Sequence, residues 1–158
     1  MTSTPADAPG RVSPVDGLAQ LSFVIQGLLE RQAAAHDLTM AQVRLLGVLR
    51  DRTPTMLELA RLLGLDKSST TGLVGRAERR GLVQRAPSAT DRRSVQVGLT
   101  PEGRALVSAA AARFGTEATD LLGLLPPGDR ESLSGLISRL LAAHAASQGI
   151  DLPGTTGG

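Results

Sequence analysis

From Pro14 onward apolar residues recur at spacings of three and four, and Leu18, Leu21, Ile25 and Leu28 fall on one stripe of a helix. The stripe is narrow and coiled-coil-like. A second helix is predicted from Thr39, because Thr39 and Gln42 have the spacing of a capping box and Met40, Val43, Leu46 and Leu49 follow on one side. Thr53-Pro54 breaks it with a turn. Thr55 and Glu58 repeat the capping-box spacing and open a short helix, Met56 to Leu63, which Gly64 can end in a left-handed cap. Asp66 caps the next helix, which runs from Lys67 to Arg80, stops at Gly81 and turns Thr70, Leu73, Val74 and Ala77 inward. Its N-terminal half is small and polar on the outside.

The period then changes from helical to alternating. Leu82 to Ala86 and Ser94 to Leu99 read as two strands, with Val95, Val97 and Leu99 on one face of the second. The polar stretch from Pro87 to Arg93 joins them into a hairpin with a charged tip, longer than a two-residue turn. Thr100-Pro101 is an N-cap followed by Pro at the first helical position, and Leu106, Ala110, Phe114, Ala118, Leu121 and Leu125 give the following helix its stripe. After a Pro126-Pro127-Gly128 break, a last helix carries Leu133, Leu136, Ile137, Leu140 and Leu141. The fold class is mainly α with a small β-hairpin.

Composition narrows what such a chain can do. Its 158 residues are 41% hydrophobic, enough for one domain with an ordinary core. The absence of Cys excludes a disulfide framework, a Cys-based zinc site and thiol redox chemistry. No run approaches the ~18 apolar residues of a membrane span, and the N-terminus shows no basic run followed by an apolar stretch, so a soluble cytoplasmic protein without a membrane partner is expected. With no Trp or Tyr and only Phe23 and Phe114, the chain cannot build a base-stacking platform for single-stranded nucleic acid. The sequence pI of about 10.3 overstates basicity, because net charge is only +2 and nothing but Lys67 and the arginines titrates at high pH. The distribution of charge is more telling: the stretch from Arg61 to Arg104 carries +5 and the remainder −3. That asymmetry suits one face built for a polyanion, or simply a solvated one.

Two short helices joined by a Gly-containing turn form a helix-turn-helix, whose second helix enters the major groove of DNA. Lys67, Ser68, Ser69 and Thr71 lie in the first turns of that second helix, where backbone N–H groups and the helix dipole attract phosphate and short hydroxyls reach base edges. Arg76 and Arg79, a turn or two later, reach backbone oxygens. A capped surface helix with solubilising charges is the ordinary alternative, and the hairpin weighs against it. Its tip, Asp91-Arg92-Arg93, stands where a winged helix directs an arginine toward the narrow, electronegative minor groove. Asp91 would repel phosphate if it pointed outward, so it is expected to pair with a neighbouring arginine and orient the loop, with Arg92 beside it.

The run Leu59 to Val74, then Glu78-Arg-Arg-Gly-Leu-Val83, Asp91-Arg-Arg93 and Leu99-Thr-Pro-Glu-Gly103, resembles the MarR family of bacterial transcriptional regulators. The resemblance is specific from about Leu38 to Leu106. It implies a homodimer, with a winged helix-turn-helix on each subunit and the first and last two helices forming the interface. It carries over Ser68, Ser69 and Thr71 as base-groove contacts, Lys67 and Arg76 as backbone contacts, and Arg93 as the wing arginine with Asp91 in support. Ala77 stands where the family usually has Leu, which leaves a smaller apolar contact beneath the recognition helix. The chain accordingly divides into a flexible arm (1–13), a first dimerisation helix (14–38), a winged helix-turn-helix (39–100), C-terminal dimerisation helices (101–147) and a flexible tail (148–158).

The dimer also has a basis in the pattern itself. The stripe of Leu18, Leu21, Ile25 and Leu28 and the apolar last helix with Leu136 and Leu140 lie outside the compact DNA-binding unit and need a partner. Two-fold symmetry predicts a palindromic double-stranded operator with half-sites ~34–36 Å apart. Occupying it would block transcription, and the family resemblance implies release by a small-molecule effector. The residues point to no particular effector pocket. Without Cys the chain cannot be one of the family's thiol sensors; Met40 and Met56 are expected in the core; two His do not make a multi-histidine metal site; and the missing Trp and Tyr argue against an aromatic-lined pocket. His36, at the end of the first helix, either caps that helix's carbonyls or lines a pocket. A constitutive DNA-binding or architectural protein without an effector, and a winged helix serving as a protein-interaction module, remain alternatives. An enzyme is not expected, since there is no nucleophile–base set and no glycine-rich phosphate loop, and no cofactor or metal is implied. Gly72 and Gly75 inside a helix pattern suggest close approach to DNA or to a neighbouring helix.

Overall fold

A computed structural model describes residues 12–88 and 93–148, so the expected arm and tail, and Asp91 and Arg92 at the wing tip, lie wholly or mostly outside the described residues. Within them the chain forms α1 (Pro14–Ala35), α2 (Met40–Asp51), α3 (Met56–Leu63), α4 (Lys67–Arg79), β1 (Val83–Pro87), β2 (Val95–Leu99), α5 (Pro101–Leu122) and α6 (Pro127–Gln148). The capping chemistry read from the sequence is in place. Gln42 N–H donates to Thr39 Oγ1 at 3.2 Å and Thr39 N–H to Gln42 Oε1 at 3.0 Å; Thr55 and Glu58 make the same reciprocal pair. Gly64 ends α3 in the left-handed region at φ +66°, which only a residue without Cβ adopts freely. Asp66 Oδ1 accepts the Ser69 N–H at 2.8 Å, and Thr100 Oγ1 accepts the Gly103 N–H at 2.9 Å.

The core is built from Leu45, Leu46 and Leu49 of α2, Leu59 and Leu63 of α3, Leu73, Val74 and Ala77 of α4, Leu82, Val83, Val97 and Leu99 of the hairpin, and Val107 of α5. Leu45, fully buried, does not belong to the stripe read from the sequence. The reason is that α2 is central: it packs on α1, α3, α4, α5 and β2, so more than one of its faces is covered. Thr70 is fully buried and satisfies its hydroxyl on the Asp66 carbonyl at 2.8 Å.

Strands β1 and β2 are antiparallel, in a register that pairs Val83 with Leu99 and Pro87 with Val95. Two features depart from the sequence reading. Val95 is 41% exposed although it shares a strand face with buried Val97 and Leu99, because the tip half of the hairpin runs out past the core. Thr53-Pro54 is more than a turn: Val97 N–H donates to the Pro54 carbonyl at 2.9 Å and Thr55 bridges to Gln96, so this segment covers part of the outer edge of β2.

The flanking helices are unequal. α1 packs its C-terminal half, with Leu28, Gln32 and Ala33 buried, against α2 and α5, while Leu18 and Leu21 are exposed. α6 makes little contact with its own chain: among its described side chains only Ala145 is buried, and Leu136 and Leu140 are 55% and 57% exposed. Among the described residues no helix is long and apolar enough to cross a membrane.

Candidate nucleic-acid interface

Helix α4 is rotated by its buried Thr70, Leu73, Val74 and Ala77, which leaves Lys67, Ser68, Ser69, Thr71 and Arg76 exposed together on the opposite side. The hydroxyls are not equivalent. Ser69 Oγ donates to Asp66 Oδ2 at 2.7 Å and Thr71 Oγ1 donates to the Lys67 carbonyl at 2.8 Å. With their protons committed, these two oxygens face outward as acceptors, suited to the amino groups of adenine or cytosine. The two hydrogen bonds from Ser69 hold the Asp66 carboxyl below its ordinary pKa, so the N-cap stays ionised near neutrality. Glu58 is lowered in the same way by the Thr55 N–H and hydroxyl at the start of α3.

Among the described residues, nothing from a neighbouring helix approaches Gly72 or Gly75. A Cβ at Gly72 would meet only the end of Arg76 at 3.4 Å, and one at Gly75 only the ends of Arg79 and Arg85 at 3.8 and 3.9 Å. Of the two reasons considered for these glycines, packing against another helix is therefore removed.

Two arginines with no contact assigned from the sequence, Arg85 and Arg80, tie α4 to its neighbours. Arg85 on β1 reaches back to Glu78 Oε2 at 3.2 Å and to the Thr71 carbonyl at 3.4 Å, tying the wing to the helix. Arg80, the α4 C-cap, donates to the backbone carbonyls of His36 and Asp37 where α1 ends. Alternation along β1 was the available signal for Arg85; nothing local marked Arg80. Arg93 is exposed at the foot of the hairpin tip, on the stretch leading into β2. A groove of about 690 Å³ runs between α3, α4 and the wing, with Thr55, Lys67, Thr71, Ser94 and Val95 among its walls.

Of the other residues singled out, Leu18, Leu21, Leu136 and Leu140 are exposed, Ile25 is half-buried and Leu28 is covered within the chain. Met56 packs against the core. A cavity of about 240 Å³ lies between α1, α2 and α5, lined by Leu29, Leu38, Leu46, Val107 and Phe114, with Gln32 and Arg50 as polar members. His36 ends α1 with its backbone N–H on the Ala33 carbonyl, but its side-chain Nε2 is buried without a partner among the described residues and so does not cap the helix.

The sequence model described as MarR family matches residues 36–94. The HTH-type transcriptional repressor NicR of Pseudomonas putida is 32% identical over 149 residues, spanning 88% of this chain and 93% of NicR. The chain belongs to the MarR family. It is thus a member of a family of transcriptional regulators and not an enzyme. Solved structures agree on the architecture: RV1404 from Mycobacterium tuberculosis is 27% identical with a TM-score of 0.71, covering 88% of this chain and 98% of its own. A mutant of S. aureus MepR bound to an oligodeoxyribonucleotide, 22% identical, shares the fold with a TM-score of 0.58 over 84% of this chain and 99% of that one.

Proposed function

We propose that this MarR-family regulator is a homodimeric repressor that binds a palindromic operator and is released from it by a small molecule. The observation that carries the reading is the open outer face of α4, where Lys67, Ser68, Ser69, Thr71 and Arg76 stand exposed at and after a helix N-terminus. Backbone N–H groups and Lys67 attract phosphate, the acceptor oxygens of Ser69 and Thr71 and the hydroxyl of Ser68 meet base edges, and Arg76 clamps the backbone. Arg93 on the wing reaches the neighbouring minor groove. The repressor NicR and the DNA-bound MepR support the same use of the fold.

The exposure of α6 supports the dimer reading. A helix of 22 residues with little contact to its own chain is marginal in water, and Leu136, Ile137, Leu140 and Leu141 are all exposed on it. The exposed half of α1 offers a second apolar strip, and a second copy covers both. The cavity between α1, α2 and α5 lies at the joint between these helices and the winged unit, so a molecule filling it changes the distance between the two recognition helices.

The test is selection of bound duplexes from a random pool, followed by gel-shift titration of the selected site. A palindrome with half-sites one helical turn apart is expected, with affinity falling steeply as salt rises and falling again in Arg93→Ala. Failure to enrich any duplex, or affinity unchanged between low and high salt, overturns the reading.

A further inference from the structure

The first turn of α4 holds the polarity of its own hydroxyls. Asp66 takes two bonds from one residue: the Ser69 N–H donates to Oδ1 at 2.8 Å and the Ser69 hydroxyl to Oδ2 at 2.7 Å. An ionised carboxylate can only accept, so the hydroxyl proton has to point back at the cap. The carboxyl stays ionised near neutrality, because those same two bonds hold it below the usual carboxylate range. Thr71 is held in the same sense by a different partner. Its Oγ1 donates at 2.8 Å to the Lys67 carbonyl, which is equally unable to donate. Both side chains are exposed on the outer face of α4, and what each has left for a partner in the groove is a lone pair.

We propose that Asp66 is a positioning residue that sets base specificity: by holding the Ser69 proton it makes that side chain an acceptor, which selects adenine or cytosine over guanine or thymine at the base Ser69 meets. The proposal rests on the operator reading above and specifies one position of each half-site. In the major groove adenine N6 and cytosine N4 are amino donors, whereas guanine O6 and thymine O4, in the corresponding places, are acceptors. A hydroxyl whose proton is committed pairs with the first two and sets oxygen against oxygen with the others. A serine free to rotate would not discriminate, since a hydroxyl both donates and accepts. Turning Ser69 around costs its bond to a charged group, which belongs to the stronger class of hydrogen bonds. Thr71 would give up only a bond to a neutral carbonyl, so the same preference is weaker there. Asn in place of Asp66 reverses the sense. Its amide oxygen still caps the Ser69 N–H, but its amide nitrogen then stands where Oδ2 was and donates to the Ser69 oxygen, which releases the hydroxyl proton outward.

The experiment selects duplexes from a random pool with the full-length wild type, Asp66→Asn, Ser69→Ala and Thr71→Val, then measures each protein by gel shift on the wild-type site and on its single-base transitions. Ser69→Ala maps the position that Ser69 reads, as the one where preference is lost. There the wild type is expected to favour adenine or cytosine over guanine or thymine by about tenfold. Asp66→Asn, which keeps a good N-cap and so the fold, should favour the transition of that base, guanine for adenine or thymine for cytosine. The position mapped by Thr71→Val should keep its base in Asp66→Asn, because the Lys67 carbonyl is unchanged. A cap with a merely structural role lowers affinity for all sequences alike and moves no preference. Guanine or thymine chosen by the wild type, an Asp66→Asn variant with the wild-type preference, or no position whose preference depends on Ser69 overturns the proposal. If the wild type enriches no duplex, the operator reading fails and the proposal with it, whereas a palindrome with the wrong base at this position refutes the proposal and leaves that reading standing.

Discussion

Gly103 sits at the start of α5 under a constraint that a single methyl group tests. A Cβ there would lie 1.9 Å from the Leu82 carbonyl oxygen and 2.9 Å from its carbon, both backbone atoms. Carbon–oxygen contacts stop at about 3.3 Å, so the first turn of α5 must retreat from Leu82, just before β1, by roughly 1 Å or more. The same carbonyl accepts the Thr100 N–H at 3.1 Å, and Thr100 Oγ1 donates to the Gly81 carbonyl at 2.6 Å. Displacing the turn weakens both bonds at about 1 kcal/mol each, and overpacking beside buried Leu82 and Val107 adds about 1–3 kcal/mol. The helix propensity of Ala over Gly returns about 1 kcal/mol. Gly103→Ala is therefore expected to lose about 2–4 kcal/mol, read as a lower urea midpoint with unchanged slope at matched protein concentration. Gly115→Ala is the control, because nothing lies within 4 Å of its Cβ position on the same helix; it should hold or gain stability. A Gly103→Ala protein as stable as wild type would refute the reasoning, since the atoms in the way are backbone and not the end of a flexible side chain.

Replacing Gly72 and Gly75 together by Ala should raise stability by up to about 1 kcal/mol per site, read as a higher melting temperature, because only arginine side-chain ends lie near; a fall would mean that the outer face of α4 is not open. Asp66, whose pKa is depressed by its bonds to Ser69, contributes stability that is complete above the ordinary carboxylate pKa and is lost as pH falls through the depressed folded-state value. Asp66→Asn, which caps without titrating, should flatten that acid limb in a series of unfolding curves, and an unchanged limb would show that the cap does not contribute to it. If the proposed dimer is formed through α6, Leu136→Asp, which puts a charge on its exposed apolar residues, should shift the protein toward monomer in sedimentation with loss of helical circular dichroism; a dimer that survives the substitution would refute that interface.

Much of this protein is local chemistry, and local chemistry is written in the chain. Thr39 with Gln42, Thr55 with Glu58, Asp66 and Thr100-Pro101 start their helices through side chains within three residues of the backbone groups they satisfy, so spacing alone finds them. The same holds for Gly64, and for the inward set Thr70, Leu73, Val74 and Ala77, whose period also determines which residues of α4 face outward. What only the tertiary structure decided are contacts between residues far apart in sequence. Leu45 is buried because α2 is covered on more than one face; Pro54 lies along β2 because its carbonyl meets the N–H of Val97; Arg80 grips the end of α1, forty-odd residues away. Gly103 is required by the Leu82 carbonyl, and Gln32 is a solvating polar residue by composition until Glu117 on α5 takes its amide and leaves its oxygen without a partner among the described residues. Periodicity reports which side of an element is apolar; which neighbour covers that side, and which polar atom goes unsatisfied beneath it, depends on how the elements are brought together.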